Sequence, residues 1–584
     1  MKKDQDNSRQ VLLKLISSVK YLAENGLALR GKNNLEGNYN SLLLLRSEDD
    51  PLLKNWLERS HRNYSSPQIQ NEILQLMSNE IINQICKDVN SNSVQFAIII
   101  DGTQDIQGNE QEAICVRHVT NSFEIHEDLL GLYEVSSTTG EVLCAMLKDC
   151  LIRLQLPIEN LRAQTYDGAS NMSGIYKGCQ SRVKELQPLA NYYHCGAHIT
   201  HLVTSKAILS AEFMRDAVDQ VQELGTLYGG SGKFKHLFLD VKINSEEASH
   251  TNFSSLKPIC PTRWLTRSPA VESVVNNYQA VLNALEIAAN KFGTNTATRA
   301  NGIRKCMSLG KCVLGLTASL PILQCLEGLN KALQGRNITI SGMLKSVDMT
   351  IQTLLGFRTD RKFKELYKEA IEKIEQYNLE EICVPRTRKI PKRLDAGIEQ
   401  QFIPTTPEEK YRIDFFKAID CATQNLRDYF KSTDILKYKK LSDMLLTGVF
   451  DQEICRTYPE LESSLKYELE FFWKQYSTSY SSLEDCRKLF ASMLPEVRRM
   501  FPQVERLLRL LLVSPASSCE AERSFSSLRR IKTWLRSTMT QKRLNNVMIC
   551  NVHKDKLNAL DLKQIAHKFI NNSSETRGAI FGKY

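Results

Sequence analysis

Three acidic side chains carry the chemistry that the sequence could perform. Asp101 follows the apolar run VQFAIII (94–100), Asp167 follows LRAQTY (161–166), and a glycine comes directly after each. A carboxylate at the C-terminal end of a sheet strand faces the crevice in which α/β proteins bind ligands. The glycine allows a sharp turn and leaves space for an ion or a phosphate to approach. Two such carboxylates can share Mg2+, a hard cation that takes oxygen ligands. A pair of ions about 3.5–4 Å apart would grip both the attacking and the leaving oxygen of a phosphoryl transfer. The alternative is that each Asp-Gly pair merely ends its strand. A third acid, Glu522, lies in SPASSCEAERSFSSLRR, where Ser517 and Glu520 have the spacing of a helix capping box. On that helix Glu522, Ser526 and Arg529 share a face beside the apolar stripe of Phe525 and Leu528. Glu522 therefore either borders the core and reaches a metal, or pairs with these neighbours in solvent.

Such acids need a sheet and a helix to bring them together, and the patterning contains both. Residues 1–90 read as helical, with Leu12, Leu15, Ile16, Val19 and Leu22 on one stripe and a second helix over 67–85 opening on Pro67. Strand runs at 94–100, 113–119 and 129–135 follow at the spacing of a meander. A helix over 138–154, a strand over 161–168, a helix over 174–186 and an apolar segment over 192–203 come next. Residues 91–205 thus read as a mixed α/β layer. From 206 to 505 the strand signal gives way to helical periodicity, as in 309–333, 338–357 and 467–476. Inside that stretch 384–412 is rich in charge, proline and threonine and reads as a flexible linker. Residues 506–584 form a last helical segment, with amphipathic patterns over 504–535 and 544–552.

The 584 residues are 42% hydrophobic and 24% charged, a globular mixture that excludes wholesale disorder. No run approaches the length of a membrane span, and the opening MKKDQDNSRQ has no apolar core of a secretory signal, so a soluble chain is expected. None of the 16 cysteines forms a CxxC pair, which argues against paired zinc knuckles or fingers and for reduced thiols. The net charge of +10 is compatible with a polyanionic partner. Seven Arg and Lys and no acid lie from Arg523 to Arg543, and Arg386, Arg388, Lys389, Lys392 and Arg393 cluster among prolines. Either group meets phosphates or is a solvated face.

The segments DGTQD from 101, YDGASNMSG from 166, HCGAHITHL from 194, PTRW from 261 and SPASSCEAERSFSSLRRIKTWLRSTMTQKRLNNVMI from 514 resemble the hAT superfamily of DNA transposases. Within it, roughly residues 10–555 are similar to the branch of zinc-finger MYM-type protein 1-like genes. The resemblance implies an α/β ribonuclease-H-like catalytic core with a DDE triad. A large all-α insertion would separate its last strand from the helix that bears the glutamate. Asp101, Asp167 and Glu522 would then be catalytic ligands of two Mg2+ or Mn2+ ions, with 66 residues between the aspartates and 355 from Asp167 to Glu522. Arg263 and Trp264 match the family's Arg-Trp, implying that Trp264 stacks on a base extruded beside the cut, or else anchors the insertion. Cys195 and His198 match the family's Cys-x-x-His. With His194 and His201 nearby they could hold zinc, contact the active site or a DNA end, or pack; spacing of i, i+3 and i+6 converges poorly on one point of a helix. Arg523 is a further candidate for DNA contact.

The C-terminal block resembles the hAT dimerisation region. Phe525, Leu528, Ile531, Trp534, Leu535, Leu544, Val547, Met548 and Ile549 offer more apolar surface than a short tail needs, so part covers the core and part can meet a second copy. Two features depart from the family pattern. No zinc-finger spacing is present, which puts sequence-specific DNA recognition in doubt, and Thr103 stands where many relatives carry Trp. The expected function is metal-dependent strand cleavage and transfer by a nuclear homodimer or higher homo-oligomer, acting on double-stranded DNA at transposon ends and target. The alternative is a domesticated nuclear regulator of transcription that dimerises without cutting. A stand-alone nuclease on RNA–DNA hybrid would explain the core but not Arg263-Trp264 or the C-terminal block.

Overall fold

The computed structural model describes residues 2–31, 37–59, 63–92, 95–243, 255–260, 265–383 and 404–582. Apolar segments buried on both faces pair into one mixed sheet. Its strands are β1 (Phe96–Gln104), β2 (Glu110–Val119), β3 (Ile125–Val135), β4 (Leu161–Tyr166) and β5 (Asn191–His194), in the order β3-β2-β1-β4-β5. The first three form the expected antiparallel meander, while β4 joins β1 and β5 joins β4 in parallel. Parallel neighbours need crossover connections, and helices provide them.

Ten helices bear on the argument. In chain order they are α1 (Lys2–Glu24), α2 (Pro67–Asn92), α3 (Gly140–Arg153), α4 (Cys179–Leu186), α5 (Gly196–Ser210), α6 (Gly310–Leu333), α7 (Pro407–Tyr429), α8 (Pro502–Val513), α9 (Cys519–Ile531) and α10 (Gln541–Val552). α3 and α4 carry the crossovers into β4 and β5. Thr139 starts α3 by accepting the Val142 N–H, and Leu143, Leu147, Cys150 and Leu151 turn inward. α1 buries Leu12, Leu15, Ile16, Val19 and Leu22 as its stripe predicts, and α1 and α2 both pack against α10.

By compactness the chain divides into two units. The first comprises Met1–Cys195, Arg336–Ser341 and Asp434–Tyr584, and the second Gly196–Gly335 and Gly342–Thr433. Residues 434–505, expected within the helical insertion, therefore belong with the sheet. The reason is specific pairing: Arg162 meets Glu460 at 2.7 Å with both side chains under a tenth exposed, Asn191 donates to Tyr458 Oη at 2.9 Å, and Phe123 packs on Phe490. The described residues of the second unit contain helices and no strand. Its α6 is long and apolar enough to cross a membrane, but most of that stretch is buried in the protein interior. The expected linker lies largely outside the described residues.

Three local expectations are corrected. β1 does not end at Asp101, because β2 keeps pairing with it as far as Gln104↔Glu110. The helix expected from Gly174 begins only at Cys179. The single helix expected over 504–535 is two: Pro515 breaks the run, and its carbonyl accepts the Thr165 hydroxyl at 3.0 Å.

Two buried cations tie the helices to the sheet. Arg117 on β2 donates from Nε to Leu512 O at 3.1 Å and from Nη2 to Ile338 O at 3.0 Å, and pairs with Glu127 at 2.6 Å. Lys532, just past α9, forms an ion pair with Asp105, just past β1; the two side chains are 2% and 0% exposed. Asp105 also accepts the Gln107 and Asn109 N–H groups. Lys532→Met should cost about 3–5 kcal/mol in chemical denaturation, because Asp105 would keep its buried charge and lose its partner. Adding Asp105→Asn to that variant should restore part of the loss; strict additivity of the two would show that the pair is not coupled.

Candidate active site

β1 and β4 are neighbours, and Ile99 pairs with Thr165. Asp101 and Asp167 each stand two residues beyond that last parallel pair, so the register brings the two acids to one side of the sheet. Asp101 still pairs with Ala113 of β2, and its Oδ1 accepts the Gly102 N–H at 2.9 Å. Asp167 Oδ1 accepts the Ala169 N–H at 3.3 Å, and its carbonyl accepts the Tyr192 hydroxyl at 3.0 Å. Glu522 enters from α9, whose Ala521, Phe525, Leu528 and Ile531 are buried in the core beside the sheet. This is the core-bordering position, not the solvent one.

The Asp101 and Glu522 carboxyls approach each other closely enough to share a hydrogen bond once one of them carries a proton. The electrostatics agree. Burial, then the charges of Glu522, Cys195 and Asp167, push Asp101 well above the usual carboxylate range. Burial and the Cys195 sulfur push Glu522 up to about 8, against the opposing pull of Asp101 and Arg523. Three oxygen-donor acids, two of them starved of positive charge, are the right chemistry for a hard divalent cation. As the side chains stand, no group of three His, Cys, Asp or Glu among the described residues is arranged to hold one ion.

Both glycines serve a different purpose from the one expected. A Cβ on Gly168 would lie 2.4 Å from Cε1 of His194, and one on Gly102 would lie 2.7 Å from Oε1 of Glu112. Protein side chains, not open space for a ligand, occupy the room. Glu112 is the acid that the sequence analysis missed. It sits on β2 opposite Gly102, 3% exposed, with Oε2 buried and unpartnered, and burial followed by Asp167 and Glu110 raises it to about 7. Its only signal was a charge at the edge of the apolar run Ala113–Val116.

The remaining candidates separate. Cys195 is buried: its N–H donates to Tyr166 O at 2.9 Å, and its Sγ accepts the Ser518 N–H at 3.3 Å beside the Cys519 thiol. It seats the start of α9. The expected capping box does not form, since Ser518 is the N-cap without a side-chain bond and Glu520 pairs with Arg523 at 2.7 Å. Arg523 is thus engaged inside its own helix. His198 lies on α5 in the second unit, where it and Arg267, after burial, bring His201 down to about 4. Arg263 and Trp264 lie outside the described residues. In the C-terminal block Leu544, Val547, Met548 and Ile549 are buried, whereas Trp534 and Leu535 are 77% and 96% exposed.

An acid pair that repels makes the metal-free fold less stable. For Glu522, whose native value is raised, the stabilising contribution is present below about pH 4.5 and is lost as pH rises through about 8. Glu522→Gln should therefore melt higher than the parent at pH 8.5 in chelator, by about 2–4 °C for each kcal/mol of relieved repulsion. The gap should narrow at pH 5, as calorimetry can check. A lower melting temperature at pH 8.5 would contradict the repulsion.

Residues 1–178 match the family described as ZMYM1/FAM200, RNase-like domain, and residues 492–555 match the hAT family C-terminal dimerisation region. Over 577 residues the chain is 24% identical to the mouse protein named 52 kDa repressor of the inhibitor of the protein kinase, covering 92% of this chain and 73% of that one. The human protein of the same name is 24% identical over 562 residues, covering 90% and 70%. Asp101 and Asp167 fall in the first matched segment and Glu522 in the second. The chain thus carries one segment of the ZMYM1/FAM200 RNase-like kind, over residues 1–178, and one of the hAT dimerisation kind, over residues 492–555.

Proposed function

We propose that the chain is a nuclear hAT-type transposase that cleaves and transfers double-stranded DNA at transposon ends, working as a homodimer or higher homo-oligomer. In this reading the sheet is a ribonuclease-H-like core, and the second unit is a helical insertion in it. The observation that carries the reading is the close approach of Asp101 and Glu522, 421 residues apart in sequence, with Asp167 in electrostatic reach. Asp101, Asp167 and Glu522 would hold Mg2+ or Mn2+, two ions in the complete site. Such ions, when bound, activate water and steady the leaving oxygen. The protein's own part is to hold three acids in a buried crevice that favours cation binding, with Cys195 fixing the helix that carries Glu522. Arg263, Trp264, His198 and Arg523 are the proposed DNA contacts, Arg523 after release from Glu520. Trp534 and Leu535, exposed within the dimerisation region, offer apolar contact to a second copy.

One observation favours a second reading, a dimerising transcriptional regulator that does not cut: the relatives carry the name of a repressor. One experiment separates the two. With Mg2+ or Mn2+ and duplex DNA, the first reading expects nicking by the parent protein and a loss of more than about a hundredfold in Asp167→Asn, beyond what an outer-shell partner is worth. It also expects Trp264→Ala to spare dimerisation and impair hairpin formation. A dimer with no nicking in any divalent metal, or with equal nicking in Asp167→Asn, would overturn it and leave the regulator.

A further inference from the structure

Arg30, Arg536 and Arg543 converge on a cavity of about 310 Å3 in the first unit, with Asn71, Thr538 and Thr540 completing the polar wall. Arg30 follows α1, Asn71 is on α2, and the other residues sit at the approach to α10 or in its first turn. Arg30 Nη2 donates to Pro67 O at 2.7 Å and to Asn71 Oδ1 at 2.9 Å, and Arg536 Nη1 donates to Gly26 O at 2.6 Å. These bonds fix the side chains without using them up. Arg30 Nε, Arg536 Nη2 and Arg543 Nε are buried and have no hydrogen-bond partner.

Among the described residues no carboxylate pairs with any of the three. Elsewhere in this unit buried arginines are matched: Arg117 has Glu127, Arg162 has Glu460, and Arg577 has Glu72, at 2.6, 2.7 and 2.6 Å. Burial without a counter-charge is costly, and the cations feel one another. Burial, then Arg30 and then Arg536, bring Arg543 down to about 10, and burial lowers Arg30 and Arg536 as well. The cavity also takes in the N-terminal turn of α10, where Thr540 makes no capping bond and the helix dipole adds positive potential.

We propose that this cavity is a binding site for a phosphate group, held by the three guanidinium groups and the N-terminal turn of α10. Guanidinium N–H forks match the spacing of phosphate oxygens, and the Thr538 and Thr540 hydroxyls can donate to the same anion. Tetrahedral phosphate supplies the missing negative charge and acceptors for all three orphaned nitrogens. The phosphate comes either from a free anion or from a nucleic-acid backbone. The site uses none of Asp101, Asp167 or Glu522, so it stands or falls separately from strand cleavage.

The test uses the full chain and two probes at equal ionic strength set with chloride: millimolar inorganic phosphate, followed by calorimetry, and a short labelled DNA duplex, followed by anisotropy. Parent protein should bind at least one probe saturably, and Arg543→Gln and Arg30→Gln should each weaken that binding about tenfold or more, the loss expected for one charge-assisted hydrogen bond. Phosphate binding in the parent, lost in both variants, identifies a free-anion site. DNA binding alone weakened in both identifies a backbone phosphate. Arg543→Glu provides the check on folding: a counter-charge built into the cavity should raise the melting temperature without phosphate while abolishing binding. The proposal is overturned if neither probe distinguishes parent from variants, or if Arg543→Glu melts lower and keeps its affinity.

Discussion

Like charges held in contact out of water are the constraint around which the first unit is organised. Burial and the charge of its partner both oppose the ionisation of Asp101 beside Glu522, so the fold must supply the force that keeps the two acids together. It does so by clamping α9 at both ends. At its start, the Ser518 N–H is bound by Cys195, which is itself hung from the end of β4 through Tyr166 O. Past its far end, Lys532 is locked to Asp105 beyond β1. Between these points Phe525, Leu528 and Ile531 fill the core. α9 cannot carry Glu522 away from Asp101 without breaking one of those attachments.

The same clamp explains how a chain can leave the sheet for a long helical excursion and still complete it. After Cys195 the backbone departs into the second unit, rejoins the first over Arg336–Ser341, and returns to it again at Asp434. That short return is itself held, since Arg117 donates to Ile338 O and Thr339 bridges Pro515. The parts of the first unit that precede and follow the excursion are then joined by side chains far apart in sequence, not by chain continuity. Asn545 Oδ1 accepts the Leu132 N–H, Asn551 donates to Glu24 O, and Arg577 grips Glu72. These polar ties specify register where a purely apolar surface would tolerate sliding.

What could be read without coordinates follows from which interactions are local. The meander, the crossover helix capped by Thr139 and the stripe of α1 are written in short-range periodicity, and the acids at 101 and 167 inherit their adjacency from strand order. The capping box failed because Glu520 had a competing partner in Arg523 one turn away, and Pro515 moved the helix start. Residues 434–505 looked like the rest of the helical stretch because an amphipathic stripe does not say which surface it covers. Glu112 was invisible for another reason: its neighbours Gly102 and Asp167 come from other strands. The arginine cavity is the same case, since Arg30 lies more than 500 residues from Arg536 and nothing near it in sequence betrays a shared pocket.

The two unbalanced clusters, one acidic and one basic, have opposite sign but the same physical logic. A buried Asp–Glu contact and a half-buried triple of arginines with unpartnered inner nitrogens each lower the stability of the free protein, and apolar or neutral substitutes of similar size would relieve either one. A fold that only needed packing would have no use for them. Elsewhere in the unit the chain supplies counter-ions readily, as at Arg162–Glu460 and Lys532–Asp105, so their absence at these two places is not a general poverty of partners. On the proposals made above, each cluster takes a ligand of the opposite charge, a cation at the acids and an anion at the arginines. Strand cleavage on DNA requires both kinds of charge, metal at the scissile phosphate and guanidinium along the backbone. A regulator that only held DNA would have use for the arginines, but the acids would repel its ligand, and it is therefore the acids that discriminate between the two readings.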